Sequence, residues 1–230
     1  MNGIDPRAGE HDALRRWSGL HALADDDPRW PIDPVAQGEA ACRGGARVVQ
    51  LRAKHATDRV ALDWARRLRV ITREHAAMLV VNDRFDLALA AEADAVHLGQ
   101  TDLHPDRVAK VAGGRLAIGR STHTLEQVRA AATERIDYLA FGPVFGTSSK
   151  DSEYSPRGPA LLAEVVTLAA PRPVVAIGGI ALLNLDEVLG TGAHGAAVIS
   201  AIAGSADPAA ATRELAARFS RIATAPERRA

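Results

Sequence analysis

Cysteine is almost absent from this chain. Cys42 is the only one in 230 residues, which rules out an internal disulfide and fits a reducing compartment. It sits in Ala40-Ala41-Cys42 on an apolar helix face, where a small buried hydrophobe accounts for it better than a nucleophile does. Aromatic residues are scarce as well, at 4% against 47% for all apolar residues. Ala, Val, Leu and Ile must therefore build the core, as they do where helices cover buried parallel strands. Net charge is missing too, since 28 Lys and Arg balance 28 Asp and Glu. That excludes a broad surface for nucleic acid or anionic membranes, while leaving room for a local cationic pocket. No uncharged apolar run approaches the roughly 18 residues of a membrane span. Met1 to Arg16 is polar and charged, without the apolar centre of a signal peptide. The expected location is the cytoplasm.

What the chain does have is a regular alternation. Residues 1–17 read as a loose extension or a short extra helix, and 223–230 as a frayed tail. Between them lie eight short apolar runs: Leu20–Ala24, Val48–Leu51, Leu79–Val81, Ala95–Leu98, Leu116–Ile118, Tyr138–Phe141, Val174–Ile177 and Ala196–Ile199. They are too short for helices and mostly unbroken, the pattern of strands buried on both faces. Helical signals fill the gaps. Asp33-Pro34 is a cap with proline in the first turn, and Gly44-Gly45 ends that helix. Ala61, Trp64, Ala65, Leu68 and Ile71 make a one-sided stripe. Thr124 with Gln127 reads as a capping box. Asp207-Pro208 opens a last helix with Ala211, Leu215, Phe219 and Ile222 facing inward. Strand–helix units without hairpin turns predict an α/β fold, a single (β/α)8 TIM barrel over residues 1–230. An open doubly wound sheet would want a glycine fingerprint after its first strand, and there is none.

Active sites of such barrels lie at the C-terminal ends of the strands, and polar residues recur there. Gln50, Arg52 and Lys54 follow the second run, Asn82 and Asp83 the third, His97, Gln100 and Asp102 the fourth. Ser121, Thr122 and His123 follow the fifth, Gly146-Thr147-Ser148-Ser149-Lys150 the sixth, Gly178-Gly179 the seventh and Ser200 the eighth. Asp83 and Asp102 on neighbouring strand ends suit Mg²⁺, which takes one or two carboxylates, waters and phosphate oxygens. The rival account is that each caps the helix after it. Arg52, Lys54 and Lys150 on one rim favour anion binding, whereas Arg120 and Arg157 are equally well explained as surface charge. Gly178-Gly179 and Ile199-Ser200 stand where this fold often cradles a phosphate with backbone N–H groups. His97 reads equally as a packed side chain or a catalytic one, and His123 as orienting its loop or capping a helix. No nucleophile elbow and no His/Cys zinc cluster is present.

Seven segments bring the chain close to a known family: Val49-Gln50-Leu51-Arg52-Ala53-Lys54, Val81-Asn82-Asp83-Arg84, Val96-His97-Leu98-Gly99-Gln100-Thr101-Asp102, Gly119-Arg120-Ser121-Thr122-His123, Gly142-Pro143-Val144-Phe145, Ala176-Ile177-Gly178-Gly179-Ile180 and Val198-Ile199-Ser200-Ala201-Ile202. In content and order they resemble thiamine-phosphate synthases. The resemblance implies a transferase of thiamine biosynthesis. It would couple 4-amino-2-methyl-5-hydroxymethylpyrimidine diphosphate to a thiazole phosphate and release diphosphate. It further implies that Gln50, Leu51, Arg52, Ala53, Lys54, Asn82, Ser121 and Lys150 hold the pyrimidine diphosphate, and that Arg52, Lys54, Ser121 and Lys150 act in catalysis. Asp83 and Asp102 would bind Mg²⁺, and Thr147, Ser148, Ser149, Gly179, Ile199 and Ser200 the thiazole phosphate. The partners implied are these small molecules, with a homo-oligomer left open. One loop departs from the family's Pro-Thr-x-Thr-Lys, since this chain has Gly146-Thr147-Ser148-Ser149-Lys150, and Lys150 to Gly158 reads as a lid. A thiazole tautomerase, or a phosphate-binding relic on the same barrel, would have less use for Arg52, Lys54, Asp83 and Asp102 together.

Overall fold

In the computed structural model, which describes residues 14–147 and 154–223 with side chains to Ser220, eight parallel strands close into one barrel. The strands are β1 (Gly19–Asp25), β2 (Val48–Arg52), β3 (Met78–Asn82), β4 (Ala95–Leu98), β5 (Ala117–Thr122), β6 (Tyr138–Phe141), β7 (Val174–Ile177) and β8 (Gly195–Val198). Each pairs with the next, and β1 pairs with β8, Leu20 opposite Ala196, to shut the ring. Helices α1 (Pro34–Gly44), α2 (Asp58–Glu74), α3 (Phe85–Ala90), α4 (Pro105–Ala112), α5 (Leu125–Ala131), α6 (Gly158–Ala169) and α7 (Leu185–Gly190) each follow a strand. After β8 come a single turn, α8 (Ser200–Ala203), and a long helix, α9 (Pro208–Ala223). None of the described helices is long and apolar enough to cross a membrane.

The local signals explain most boundaries. Asp33 accepts from the Ala36 N–H at 2.8 Å and starts α1, and Gly45 ends it at φ 93°, the left-handed position that glycine fills without strain. Asp207 caps α9 through Ala210 N–H at 2.9 Å. At α5 the Thr124 hydroxyl accepts from Gln127 N–H, but the Gln127 side chain reaches past Thr124 to the His123 N–H. The box thus also fixes the end of the loop after β5.

Alternation along each strand makes two cores. Outward residues such as Val49, Leu51, Val81 and Leu98 meet Leu68, Val108, Leu162 and Leu185 of the helices. Each such aliphatic side chain contributes about 2 kcal/mol by leaving water. Inward residues fill the lumen, among them Leu23, Val48, Val80, Tyr138 and Val175. Trp17 belongs to this inner set. Residues 14–17 are helical, and the indole stacks on Tyr138 with centroids 4.1 Å apart, plugging the N-terminal end of the barrel. The segment expected as a loose extension or a short extra helix therefore ends in a helical turn that is part of the core. Residues 1–13 and 224–230 lie outside the described residues. Gly119 stands opposite Tyr138, and a Cβ there would come within 2.2 Å of the phenol ring, so only glycine leaves room for it.

His21 is sealed in the same layer, with Nε2 2.9 Å from the Trp17 carbonyl. Burial outweighs that bond and pulls its pKa down to about 4. The unfolded chain then takes up a proton before the folded one does, at pH values between about 4 and 6.5. Stability contributed by the neutral ring is present above that window and falls as pH drops through it, by up to about 3 kcal/mol. His21→Gln, which keeps an N–H for the carbonyl, is expected to flatten the acid limb of a Tm-versus-pH curve. Parallel acid limbs for the two proteins would show that His21 does not set it.

Candidate active site

The C-terminal ends of β2 to β7 surround a cavity of about 320 Å³, the lower end of the range for small-molecule sites. Arg52 and Lys54 enter it from β2, Asn82 and Asp83 from β3, and Ser121 and His123 from β5. Gly99, Gln100 and Thr101 supply the β4 side, with Thr147 and Tyr154 from the loop after β6. Ile177 and Gly178 close the wall and also line a smaller adjoining cleft with Thr147, Gly179, Ile199 and Ser200.

Asp83 lines the cavity, whereas Asp102 lines neither space and stands beside Asp83 in the loop after β4. Asp83 is held at φ 62° by hydrogen bonds from its N–H to the His97 carbonyl and from Phe85 N–H to its own carbonyl. Aspartate tolerates this left-handed backbone better than most residues. Its side chain caps nothing, because α3 starts from Arg84 without a side-chain cap. Asp102 does not cap α4 either, since His104 does so through Asp106 N–H. Asp102 instead accepts from the Gly99 N–H at 2.6 Å and meets the Asp83 side chain. Burial, and then the Asp83 carboxylate, push the Asp102 pKa up against the pull of Gly99 N–H and Lys54. Two interacting carboxylates are eased by a shared proton or by a cation between them. Lys54 supplies part of that charge, pairing with Asp83 while remaining 45% exposed. Among the described residues no cluster of three or more His, Cys, Asp or Glu could hold a metal. Two carboxylates, with water and phosphate oxygens for the rest, fit Mg²⁺ and would fit zinc poorly.

Arg52 is fixed from below. The Asp25 carboxylate, with no exposed surface, lies 2.6 Å from its Nη1. Asp25 also accepts from Trp30 Nε1 and Asp27 N–H, and Gln37 brackets its peptide by accepting from its N–H and donating to its carbonyl. Next to it, the Asp26 carboxylate gathers the N–H groups of Lys54, His55 and Ala56, each at 2.8 Å. That shapes the turn that presents Lys54.

Ser121 is positioned from the lumen. Its Oγ lies 2.8 Å from His97 Nε2, and His97 Nδ1 lies 2.9 Å from the Tyr138 hydroxyl. Burial pushes the Tyr138 pKa far up, so it remains a phenol. When it donates to Nδ1, the ring's other N–H points at Ser121, whose own hydrogen is then available to a ligand. His97 thus serves the serine. His123 lies 2.6 Å from the Gly142 carbonyl and stacks on Tyr154 at 4.2 Å, and the Arg157 guanidinium lies 5.2 Å from the centre of the same ring.

The glycine pair shapes the smaller cleft. Gly178 and Gly179 have φ of 101° and 62°, and a Cβ on Gly179 would come within 2.3 Å of the Gly146 carbonyl. Ile199 follows β8 and packs against the lumen core, and Ser200 opens α8 at the surface.

Not every expected residue lines these spaces. Gln50 is buried in the lumen beneath Arg52 and borders neither cavity, whereas Leu51 and Ala53 face outward into the helix-side core. Ser148, Ser149 and Lys150 lie outside the described residues, as does the lid up to Glu153. The part from Tyr154 onward is tied back, with Arg157 and Gly158 N–H bonded to the Pro143 and Val144 carbonyls. The residues missed from sequence are Asp25, Asp26, Gln37 and Tyr154. Only the acidic run Asp25-Asp26-Asp27 at a strand end signalled itself.

Known proteins resemble this chain over nearly all of the barrel. Residues 20–202 match the family model for thiamine monophosphate synthase. A thiamine-phosphate synthase of Anaeromyxobacter dehalogenans is 48% identical over 187 residues, covering 81% of this chain and 83% of that protein. One from Chlorobium phaeobacteroides is 42% identical, covering 85% and 93%. The chain spans only about half the length of a Synechococcus relative, covering 50% of it at 47% identity. Among solved structures, thiamine phosphate pyrophosphorylase from Pyrococcus furiosus superposes with a TM-score of 0.83 at 37% identity, over 91% of this chain and 98% of that one. With the barrel closed, the polar rim in place and the match running through nearly all of it, this chain belongs to the thiamine monophosphate synthase family.

Proposed function

We propose that the chain is a thiamine-phosphate synthase, joining the pyrimidine methyl diphosphate to thiazole phosphate with loss of diphosphate. The observation that carries this reading is a cavity lined by Arg52, Lys54 and Asp83, with the Asp102 carboxylate interacting with Asp83 from beside it. Such a set suits a diphosphate that arrives with a divalent cation. The glycine-walled cleft beside it suits the second, singly phosphorylated substrate.

The exocyclic CH₂–O bond of the pyrimidine breaks with its electron pair leaving on the diphosphate, and the aminopyrimidine ring delocalises the cation left behind. The thiazole nitrogen then donates its lone pair to that carbon. No protein nucleophile is needed, so the enzyme works by positioning and electrostatics. Arg52 grips the diphosphate as a planar fork held rigid by Asp25, and Lys54 adds a mobile point charge. Ser121, oriented by His97, is placed to donate to the bound pyrimidine diphosphate. Mg²⁺ held by Asp83 and Asp102 would neutralise charge developing on the departing diphosphate. Gly178, Gly179 and Ser200 offer close backbone approach and a hydroxyl to the thiazole phosphate.

The test is turnover of the two substrates to thiamine phosphate, with Mg²⁺ and with EDTA. Product that vanishes with chelator supports the reading, and no product from folded protein under any metal condition overturns it. Gly179→Ala is expected to raise the thiazole phosphate KM about tenfold or more, since its Cβ meets the Gly146 carbonyl and φ 62° is unfavourable for alanine. The pyrimidine diphosphate KM should hardly move. Equal changes in both would place Gly179 outside the thiazole phosphate site.

A further inference from the structure

Arg120 is an arginine almost wholly buried on the outer face of β5, opposite Leu98 in the barrel register. Its Nη1 donates to the Gly99 carbonyl at 2.5 Å. Its Nε lies 3.3 Å from Glu134 Oε2, whose side chain is 12% exposed, although neither atom makes a formed hydrogen bond. That pair is held by charge. The other oxygen of Glu134 lies 3.5 Å from His104 Nε2, and the neighbouring Arg135 N–H donates to Asp106 at 3.0 Å.

These contacts have one element in common. Gly99 and His104 are the two ends of the loop that carries Asp102, and Gly99 N–H is the hydrogen bond that holds the Asp102 carboxylate. We infer that Arg120 and Glu134 form a clip that grips both ends of the 99–104 loop and so sets where Asp102 stands against Asp83. They are positioning residues for the proposed cation site, acting from outside the cavity. The inference rests on the metal reading above.

A buried Arg–Glu pair is weak evidence for stability, since apolar side chains of similar volume often serve as well. What apolar side chains cannot do is hold a carbonyl and a histidine in place. Outer partners of metal ligands typically change affinity by about 10–100-fold when lost.

The experiment measures Mn²⁺ binding by electron paramagnetic resonance in the presence of inorganic diphosphate, together with Tm. The proteins are wild type, Arg120→Met, Arg120→Met with Glu134→Gln, Asp83→Asn and Arg69→Met. The last breaks another well-buried ion pair, Arg69 with Asp94 at 2.5 Å beside the start of β3, away from the cavity. Arg120→Met is expected to weaken Mn²⁺ about tenfold. The double variant should recover Tm without recovering Mn²⁺, and Arg69→Met should lose Tm without losing Mn²⁺. Wild-type Mn²⁺ affinity in either Arg120 variant, or equal loss in Arg69→Met, overturns the clip. If Asp83→Asn also binds as wild type, or wild type binds none, the metal reading has failed and the clip falls with it.

Discussion

Asp83→Asn is expected to lower kcat by about a hundredfold or more with little change in Tm, the scale on which a lost electrostatic contact at a reacting centre is felt. Asparagine is the informative replacement because it isolates the charge. Asp83 sits at φ 62°, and alanine there would add backbone strain of about 1–2 kcal/mol, whereas asparagine tolerates the left-handed region. The side chain caps no helix, so its loss removes no secondary-structure contact. It does remove the partner of Lys54 and one of the two carboxylates proposed to hold the cation. Excess Mg²⁺ is expected to restore turnover only in part, since an amide oxygen remains a weaker donor than a carboxylate. Turnover, metal titration and circular dichroism check this together. Wild-type kcat in the folded variant would remove Asp83 from the metal site.

The strand–helix alternation was legible because lumen and helix side are both dry, which leaves strands as short apolar runs. The exception is β5. The run Leu116–Ile118 covers only its first two residues, yet the strand continues to Thr122. Gly119, Arg120 and Ser121 hide it, and each is explained by what it meets on a neighbouring strand or its loop: Tyr138, Gly99 and His97. Arg120 read as surface charge for the same reason, since burial of a polar residue is a tertiary fact. Trp17 looked like part of a tail because nothing local says that an indole will plug a barrel. For the site, residue types at the strand ends placed Arg52, Lys54, Asn82, Asp83 and Ser121 in one cavity. The motif around Arg52 was carried over as a block, and the period of two along a strand divides it. Gln50 and Arg52 point inward, while Leu51 and Ala53 point out. Asp25 escaped notice because the reading of β1 stopped at the last apolar residue, one position short of the carboxylate that holds Arg52.

That carboxylate makes Arg52 the position where stability and activity can be pulled apart. Arg52→Met leaves Asp25 buried with its two remaining N–H donors, Trp30 Nε1 and the Asp27 peptide, and no counter-charge. Removing one partner of a buried pair costs about 3–5 kcal/mol. Those two hydrogen bonds place the expected loss near the lower figure, with a Tm decrease of several degrees. Turnover should fall as well, because the diphosphate loses a bidentate grip that methionine cannot imitate. Adding Asp25→Asn removes the stranded charge while keeping the shape and most of the hydrogen bonds. The double variant is therefore expected to regain most of the Tm while turnover stays low. Asp25→Asn alone should retain the fold but raise the pyrimidine diphosphate KM, since a guanidinium without its buried anion is free to leave its fixed orientation. The pattern separates two jobs done by one ion pair: holding the end of β2 and aiming a cation. If the double variant recovered turnover along with Tm, Arg52 would be a structural residue, and charge on the leaving group would have to be met by Lys54 and the cation alone.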